Sequence, residues 1–152
     1  MARIIKFRGK DLLGKWRYGD LIQEKWKTKL NTNEKAFMIK KDKTAYTVLG
    51  ETLGQFTGLY DKNGKEIFEG DIVKSYFENG LGVENKCLII YDEYLCAFMG
   101  QELRTKQQYL FNEGNPNKKD KQLKYTEVIG NMYDKPVTKE QFEEIGYKIE
   151  GE

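Results

Sequence analysis

The chain has 152 residues, enough to bury a core in one domain or in a small domain with an appendage. Hydrophobic residues make up 39% and charged residues 33%, a balance typical of a globular protein, and the net charge is only +2. The sequence contains no histidine, which excludes every His-based triad, His-ligated metal site and imidazole acid–base catalyst.

Residues 1–49 predict a basic β region. Arg3–Arg8 and Lys15–Gln23 carry β-branched and aromatic residues on either side of Gly9–Gly14, a spacing that predicts a hairpin. Residues 24–35 are polar and contain Thr and Asn, which favours a loop over a short helix. Two more strands and the turn between them are predicted at Ala36–Ile39, Tyr46–Leu49 and Lys41–Lys43.

Residues 50–136 predict a meandering antiparallel sheet. Asn63-Gly64 lies between the apolar runs Gln55–Tyr60 and Lys65–Phe68, and this is a strong hairpin signal because both residues tolerate positive φ. Gly130 indicates a bulge or a close backbone approach in the last strand. The other predicted strands are Ile72–Phe77, Cys87–Asp92, Tyr94–Gly100 and Tyr125–Tyr133.

The sequence also makes predictions about a long loop, the C-terminal segment and the core. The polar stretch Gln101–Lys124 is expected to form a long loop. Residues 137–152 are expected to form a short helix and tail, since Thr138 and Gln141 match a capping box. The core is expected to include Ile67, Phe68, Ile72, Val73, Val128 and Ile129.

The two cysteines, Cys87 and Cys96, both adjoin apolar residues, and we predict that they are buried free thiols. Two thiols without histidine do not make a zinc site. The segment Met1–Arg8 lacks the apolar stretch of a secretion signal, and the apolar run Cys87–Tyr91 is too short to cross a bilayer. A cytoplasmic protein without a membrane partner is therefore expected.

Three sequence blocks carry a resemblance to a known family: Ile5–Arg8, Leu53–Val73 and Glu127–Tyr133. In order and spacing they resemble the YopX family, small proteins of phages and prophages. The resemblance implies a mainly β fold, a small SH3-like β-barrel with extra elements. We accordingly predict an N-terminal β-hairpin region at 1–49, the barrel at 50–136 and the helix at 137–152. The family has no assigned biochemical activity, so the resemblance supplies no catalytic residues.

No catalytic, cofactor-binding or metal-binding residues are predicted. Glu66, Glu69 and Asp71 could offer oxygen ligands to Mg²⁺ or Ca²⁺, but turn chemistry after Gly70 is the preferred interpretation. The glycines at 54, 58, 64 and 70 lack the Gly-Lys-Ser/Thr of a phosphate-binding loop and fit turns between strands.

A basic hairpin is the one candidate binding site. If Trp16 and Tyr18 face inward, Lys15 and Arg17 face outward, and Lys6 and Arg8 do so on the first strand. Residues 1–49 carry a net charge of +8 and residues 50–152 carry −6. Nucleic acid could compensate the cations, with Trp26 or Tyr46 stacking on bases, and so could acidic residues of the same or a neighbouring chain.

The sequence thus predicts a phage or prophage accessory protein of the host bacterial cytoplasm, without enzymatic activity. It is expected to act by protein–protein binding or self-assembly and to form a homo-oligomer. The alternative is a nucleic-acid-binding protein that uses Lys6, Arg8, Lys15, Arg17 and Trp26. Another phage or host protein is the remaining candidate partner.

Overall fold

Antiparallel strands dominate the computed structural model, which describes residues 3–27, 33–76, 84–110 and 121–134. Within these ranges, the regular structure besides strands is a short 3-10 helix at Gly50–Thr52. The strands are β1 (Phe7–Lys10), β2 (Trp16–Lys27), β3 (Asn33–Lys41), β4 (Thr44–Val48), β5 (Gly54–Tyr60), β6 (Glu66–Phe68), β7 (Asp71–Tyr76), β8 (Glu84–Asp92), β9 (Ala97–Glu102), β10 (Gln108–Leu110) and β11 (Thr126–Asn131). The predicted mainly β fold class is confirmed.

The chain divides into two units within β5, between Phe56 and Thr57. In the first unit the strands pair in the order β4-β3-β2-β1-β5. In the second unit β6 flanks β5, and a separate sheet has the order β10-β9-β8-β7-β11.

The first unit is built around a long β2–β3 hairpin, whose register runs from Asp20 opposite Lys40 to Lys27 opposite Asn33. The predicted loop over residues 24–35 is wrong at both ends, because β2 continues to Lys27 and β3 begins at Asn33. Pairing between the two backbones outweighs the weak strand propensity of these polar residues.

The first unit buries Ile39, Val48 and Phe56. Gly19 in β2 has a φ of 154°, and a Cβ there would lie 2.2 Å from the carbonyl oxygen of Lys40. Only glycine permits this close approach of two backbones.

In the second unit, Ile67, Val73, Ile89 and Leu123 form the centre of the core. Leu59, Cys87 and Val128 are partly buried against it. The expected core residues Ile67, Phe68 and Val73 are confirmed as buried, whereas Ile72 and Val128 are only partly so.

Ile129 is 43% exposed, so its predicted place in the core is wrong. The register of β11 on β7 shifts between Val128, opposite Val73, and Gly130, opposite Ile72. This shift confirms the irregularity predicted at Gly130. Val128 is opposite the buried Val73 and packs against the core, so the next residue, Ile129, faces the opposite side of the strand.

The stretch predicted as one long loop, Gln101–Lys124, is partly ordered. β9 extends to Glu102, and Gln108–Leu110 pairs with β9 as a further strand. At the other end, Leu123 is fully buried, and its backbone N–H donates to the carbonyl oxygen of Tyr60 at 2.8 Å. Residues 111–120 lie outside the described residues.

The small SH3-like barrel implied by the resemblance is not confirmed. Among the described strands, β10 and β11 are the terminal strands of the sheet β10-β9-β8-β7-β11, and β4 is a terminal strand in the sheet of the first unit. A barrel requires the first and last strands to pair, and these do not. The predicted helix at Thr138–Ile145, within 137–152, lies outside the described residues. No helix in the described part of the chain is long and apolar enough to cross a membrane.

Candidate interaction surface

Two turns share the pattern Asp-x-x-Gly-Lys: Asp11–Lys15 joins β1 to β2, and Asp61–Lys65 joins β5 to β6. In each turn the aspartate Oδ1 accepts hydrogen bonds from the backbone N–H groups two and four residues later, at 2.8 or 2.9 Å. The glycines have φ of 81° and 79°, which confirms the positive φ predicted for Gly64. The aspartate and glycine therefore define the turn, and the two residues between them contribute only backbone.

The second carboxylate oxygen of each aspartate anchors its turn elsewhere in the same unit. Asp11 Oδ2 accepts a hydrogen bond from Nε of Arg17 at 2.9 Å. Asp61 Oδ2 accepts one from the backbone N–H of Val128 at 3.0 Å. Both aspartates are buried, and these hydrogen bonds compensate the loss of hydration of their carboxylates.

Arg17 is held by two partners. Its guanidinium bonds to Asp11, and its Cζ lies 3.6 Å from the centroid of the Tyr46 ring. A cation over an aromatic face at this distance is a favourable cation–π contact. Tyr46, considered as a stacking partner for a nucleic-acid base, therefore stacks on a side chain of its own chain.

Arg8 is 4% exposed, so its predicted outward orientation is wrong. Its Cζ lies 4.7 Å from the centroid of the Trp16 ring, and Lys10 Nζ lies 5.3 Å from the same centroid. In the β1–β2 register Arg8 is opposite Tyr18, whereas Gly9 is opposite Arg17. Because neighbouring positions on a strand face opposite sides, Arg8 and Arg17 project from different faces of the sheet. The structure therefore does not bring the predicted cations together on one surface.

The other residues of the predicted patch occupy separate places. Lys6 is half-buried, and its carbonyl oxygen accepts a hydrogen bond from the N–H of Phe56 at 2.8 Å. Lys15 is exposed at the end of the first turn. Trp26 lies in β2, opposite Glu34 in the register, and its side chain is outside the described residues.

An apolar pair occupies the tip of the β1–β2 hairpin. Leu12 is 70% exposed and Leu13 is 93% exposed. The two residues between Asp11 and Gly14 therefore present large apolar side chains to solvent. The hydrogen bonds of Asp11 fix their position. We call Leu12, Leu13 and the exposed Lys15 the leucine tip.

The β8–β9 hairpin presents a second exposed apolar pair. Tyr94 is 99% exposed and Leu95 is 62% exposed. Asp92 Oδ1 accepts hydrogen bonds from the backbone N–H groups of both residues at 2.9 Å, so an aspartate fixes this turn too. We call Glu93, Tyr94 and Leu95 the tyrosine tip.

The two cysteines are free, but their environments differ. Cys96 is exposed beside the tyrosine tip, with a φ of 50°, so its predicted burial is wrong. The tight turn directs this residue outward although its neighbours in sequence are apolar. Cys87 is half-buried, and burial, aided by the charge of Glu102, raises its pKa to about 11.

The two thiols are expected to react at different rates. With a disulfide reagent at mildly alkaline pH, Cys96 should react fast and Cys87 slowly, because the thiolate is the reactive form and burial disfavours it. The measurement is the absorbance of released thiol over time. Cys96→Ser should remove the fast phase; a fast phase that persists in this variant would contradict the assignment.

The acidic residues considered for metal binding serve the turn between β6 and β7, at least through Asp71. Asp71 is 1% exposed, and its Oδ2 accepts a hydrogen bond from the backbone N–H of Phe68 at 2.8 Å. The turn role predicted for Asp71 is therefore confirmed. The described residues contain no group of three or more Cys, Asp or Glu side chains that could hold a metal ion.

The first turn is expected to weaken at acidic pH. The backbone hydrogen bond from Lys15 and, after it, the contact with Arg17 lower the pKa of Asp11 below its usual value of 3.8, although burial opposes them. A lowered pKa in the folded state stabilises the fold above the pKa of the unfolded chain, and that contribution is lost as the pH falls through the folded pKa.

Urea unfolding of wild type and Asp11→Asn, from neutral pH to below 3.8, measures this effect. The difference in unfolding free energy between the two proteins should be largest at neutral pH and should shrink on acidification. A difference that is constant or grows at low pH would contradict the role given to the carboxylate.

These features define a β-sheet protein in which two aspartate-fixed turns, those after Asp11 and Asp92, present apolar side chains at hairpin tips. The family model described as YopX protein matches residues 6–138. The chain belongs to the YopX family, which confirms the resemblance carried by its three sequence blocks.

A solved structure with a similar chain is the crystal structure of protein EF1440 from Enterococcus faecalis. The two chains are 24% identical, the match covers 89% of this chain and 97% of that one, and the TM-score is 0.48. No curated protein matches this chain significantly in sequence.

Proposed function

We propose that this protein is a phage or prophage accessory protein that acts by protein–protein association, first of all self-assembly, and not by catalysis. Membership of the YopX family supports the phage-type accessory role. The exposed apolar tips support association as its mode of action.

One observation carries the proposal: the leucine tip. An exposed apolar pair on a solvated turn does not stabilise the isolated chain, since both side chains remain in water. Burial of each leucine in an interface would contribute about 1.5–3 kcal/mol. The buried Asp11 holds the turn in place through backbone N–H groups, without help from either leucine side chain. A pair held rigidly in this way suits a docking element, because little conformational entropy is lost on binding.

The nucleic-acid alternative has weaker support from the geometry. Arg17 already binds Asp11 and stacks on Tyr46, and Arg8 is buried beside Trp16. Among the described side chains of the predicted set, Lys15 is the exposed cation. Phosphate binding needs several accessible cations on one surface.

We place the action of the protein in the host bacterial cytoplasm. Both cysteines are free, and Cys96 is exposed to solvent. An exposed free thiol beside an apolar surface persists best in a reducing compartment.

Sedimentation velocity at low salt, from micromolar to millimolar protein, tests the proposal. Concentration-dependent oligomers are expected, and raising the salt concentration should weaken them only modestly, because exposed ion pairs contribute about 0–1 kcal/mol each. A strictly monomeric protein would overturn self-assembly. Binding to DNA or RNA with a steep salt dependence would then favour the nucleic-acid alternative.

The polar second turn is the template for a variant of the first turn that tests the role of the leucines. Leu12→Gln with Leu13→Asn makes the first turn as polar as the Lys62-Asn63 turn without a change of charge. The shared Asp-x-x-Gly-Lys hydrogen bonds should keep the fold intact. We expect this double variant to associate at least about tenfold more weakly, because two apolar side chains are lost from the interface.

A further inference from the structure

We propose that the leucine tip of one copy docks on the tyrosine tip of another copy, in a head-to-tail contact. This inference rests on the proposed self-assembly and names its interface. It involves Leu12, Leu13 and Lys15 on one side and Glu93, Tyr94 and Leu95 on the other.

The two tips match in apolar content. Each presents two large, adjacent, exposed apolar side chains, and in each the pair follows an aspartate that bonds to the backbone of the turn. A flat tyrosine ring provides a large rigid surface with two side-chain torsions to restrict. Among the described side chains, Leu13 and Tyr94 are the two most exposed large apolar residues of the chain, at 93% and 99%.

The two tips also match in charge. Beside the leucines, Lys15 is exposed, and the negative charge of Asp11 is balanced by Arg17. Within the tyrosine tip, Glu93 is exposed and is next to Asp92 in sequence. One tip is therefore basic and the other acidic, in keeping with the net charges of +8 and −6 on residues 1–49 and 50–152. Opposite charges around an apolar contact orient the partners and disfavour contacts between like tips.

This complementarity selects a second copy of the chain as the occupant. Two leucine tips would bring lysines together, and two tyrosine tips would bring glutamates together. A contact between two different patches is heterologous, so it builds either a closed ring or an open filament with one unoccupied tip at each end. Four side chains bury only on the order of a few hundred Å², below a standard interface, so each contact should be weak.

Site-directed disulfide formation tests the contact directly, because Cys96 adjoins the tyrosine tip. Protein carrying Leu13→Cys with Cys96→Ser is mixed with mass-tagged wild type under mild oxidation. The thiol introduced at position 13 can then meet Cys96 only in a different copy. The half-buried Cys87 is present in both chains, so the cross-links that it forms give the background level of disulfide formation.

The expected product is a disulfide-linked pair of one variant and one tagged chain, resolved by non-reducing electrophoresis and mass spectrometry. The matched control is Asn63→Cys with Cys96→Ser, since position 63 is the equivalent exposed place in the second turn. It should give at least about fivefold less mixed product. Equal cross-linking by the control, or a predominance of variant–variant pairs, would overturn the head-to-tail contact.

Charge reversal gives a second readout. Lys15→Glu and Glu93→Lys should each weaken self-association about threefold to tenfold, because each replaces attraction by repulsion at the rim. An equimolar mixture of the two variants should regain association, since each leucine tip then finds an oppositely charged tyrosine tip on the other variant. Failure of the mixture to recover would contradict the contact.

The outcomes separate this inference from the proposed function. Wild type that self-associates while all the tip variants behave like wild type would overturn the contact and leave self-assembly standing. Strictly monomeric wild type that gives no mixed disulfide would overturn both.

Discussion

Replacement of Ile67 by alanine is expected to lower the free energy of unfolding by about 2–5 kcal/mol. Ile67 is fully buried and packs in the centre of the second unit with Val73, Ile89 and Leu123. Truncation removes buried methyl and methylene groups and leaves a cavity that close-packed neighbours fill only in part. Urea unfolding followed by circular dichroism measures the loss.

Ile129→Ala is the matched control, because the same substitution is made in a side chain that is 43% exposed. It should change the free energy of unfolding by less than about 1 kcal/mol. The sequence places both isoleucines in the core, so this pair of variants tests whether Ile129 faces away from it. Equal losses in the two variants would contradict the outward orientation of Ile129.

Asp61→Asn is expected to cost about 2–4 kcal/mol, although it changes the shape of the side chain very little. The carboxylate is 1% exposed and accepts backbone hydrogen bonds from Asn63, Lys65 and Val128. In asparagine one oxygen becomes an NH₂ donor. Either the Val128 N–H or the pair of turn N–H groups then faces a donor, and a buried unsatisfied group is costly.

Asp92→Asn provides the comparison for this prediction. Both hydrogen bonds described for Asp92 use Oδ1, which asparagine retains, and the turn is exposed. We expect a change within about 0.5 kcal/mol, measured by the same urea unfolding as for Asp61→Asn. A loss at Asp92 as large as that at Asp61 would show that the second carboxylate oxygen of Asp61 matters little.

Much of the second unit could be predicted from local signals. Asn63-Gly64 predicts the hairpin after β5, and apolar runs predict β7, β8 and part of β9 and their pairing. The strand predicted at Tyr94–Gly100 begins only at Ala97, because Tyr94 and Leu95 lie in the turn before it. The burial of Leu123 could not be predicted, because it depends on a backbone bond to Tyr60, more than sixty positions away. Long-range pairing leaves no periodic trace in such a short segment.

The candidate site can be predicted only in part, because side-chain orientation is harder to predict from sequence than strand position. The sequence identifies the basic residues of β1 and β2. The assumption that apolar side chains face inward, however, predicts the wrong orientation for Arg8. Its Cζ lies 4.7 Å from the centroid of the Trp16 ring, a cation–π contact that favours a buried position for this cation. The apolar character of Leu12 and Leu13 predicts burial rather than exposure, whereas the repeated Asp-x-x-Gly-Lys pattern indicates that both occupy a turn.

The repeated turn also suits this protein to engineering. The hydrogen bonds described for Asp11–Lys15 come from the aspartate and the backbone, and Gly14 supplies the left-handed conformation. Positions 12 and 13 can therefore carry a randomised peptide library, with proline left out at position 13 because the backbone N–H there bonds to Asp11. The Asp61–Lys65 turn offers a second such place, so one small chain could display two independently selected recognition sequences.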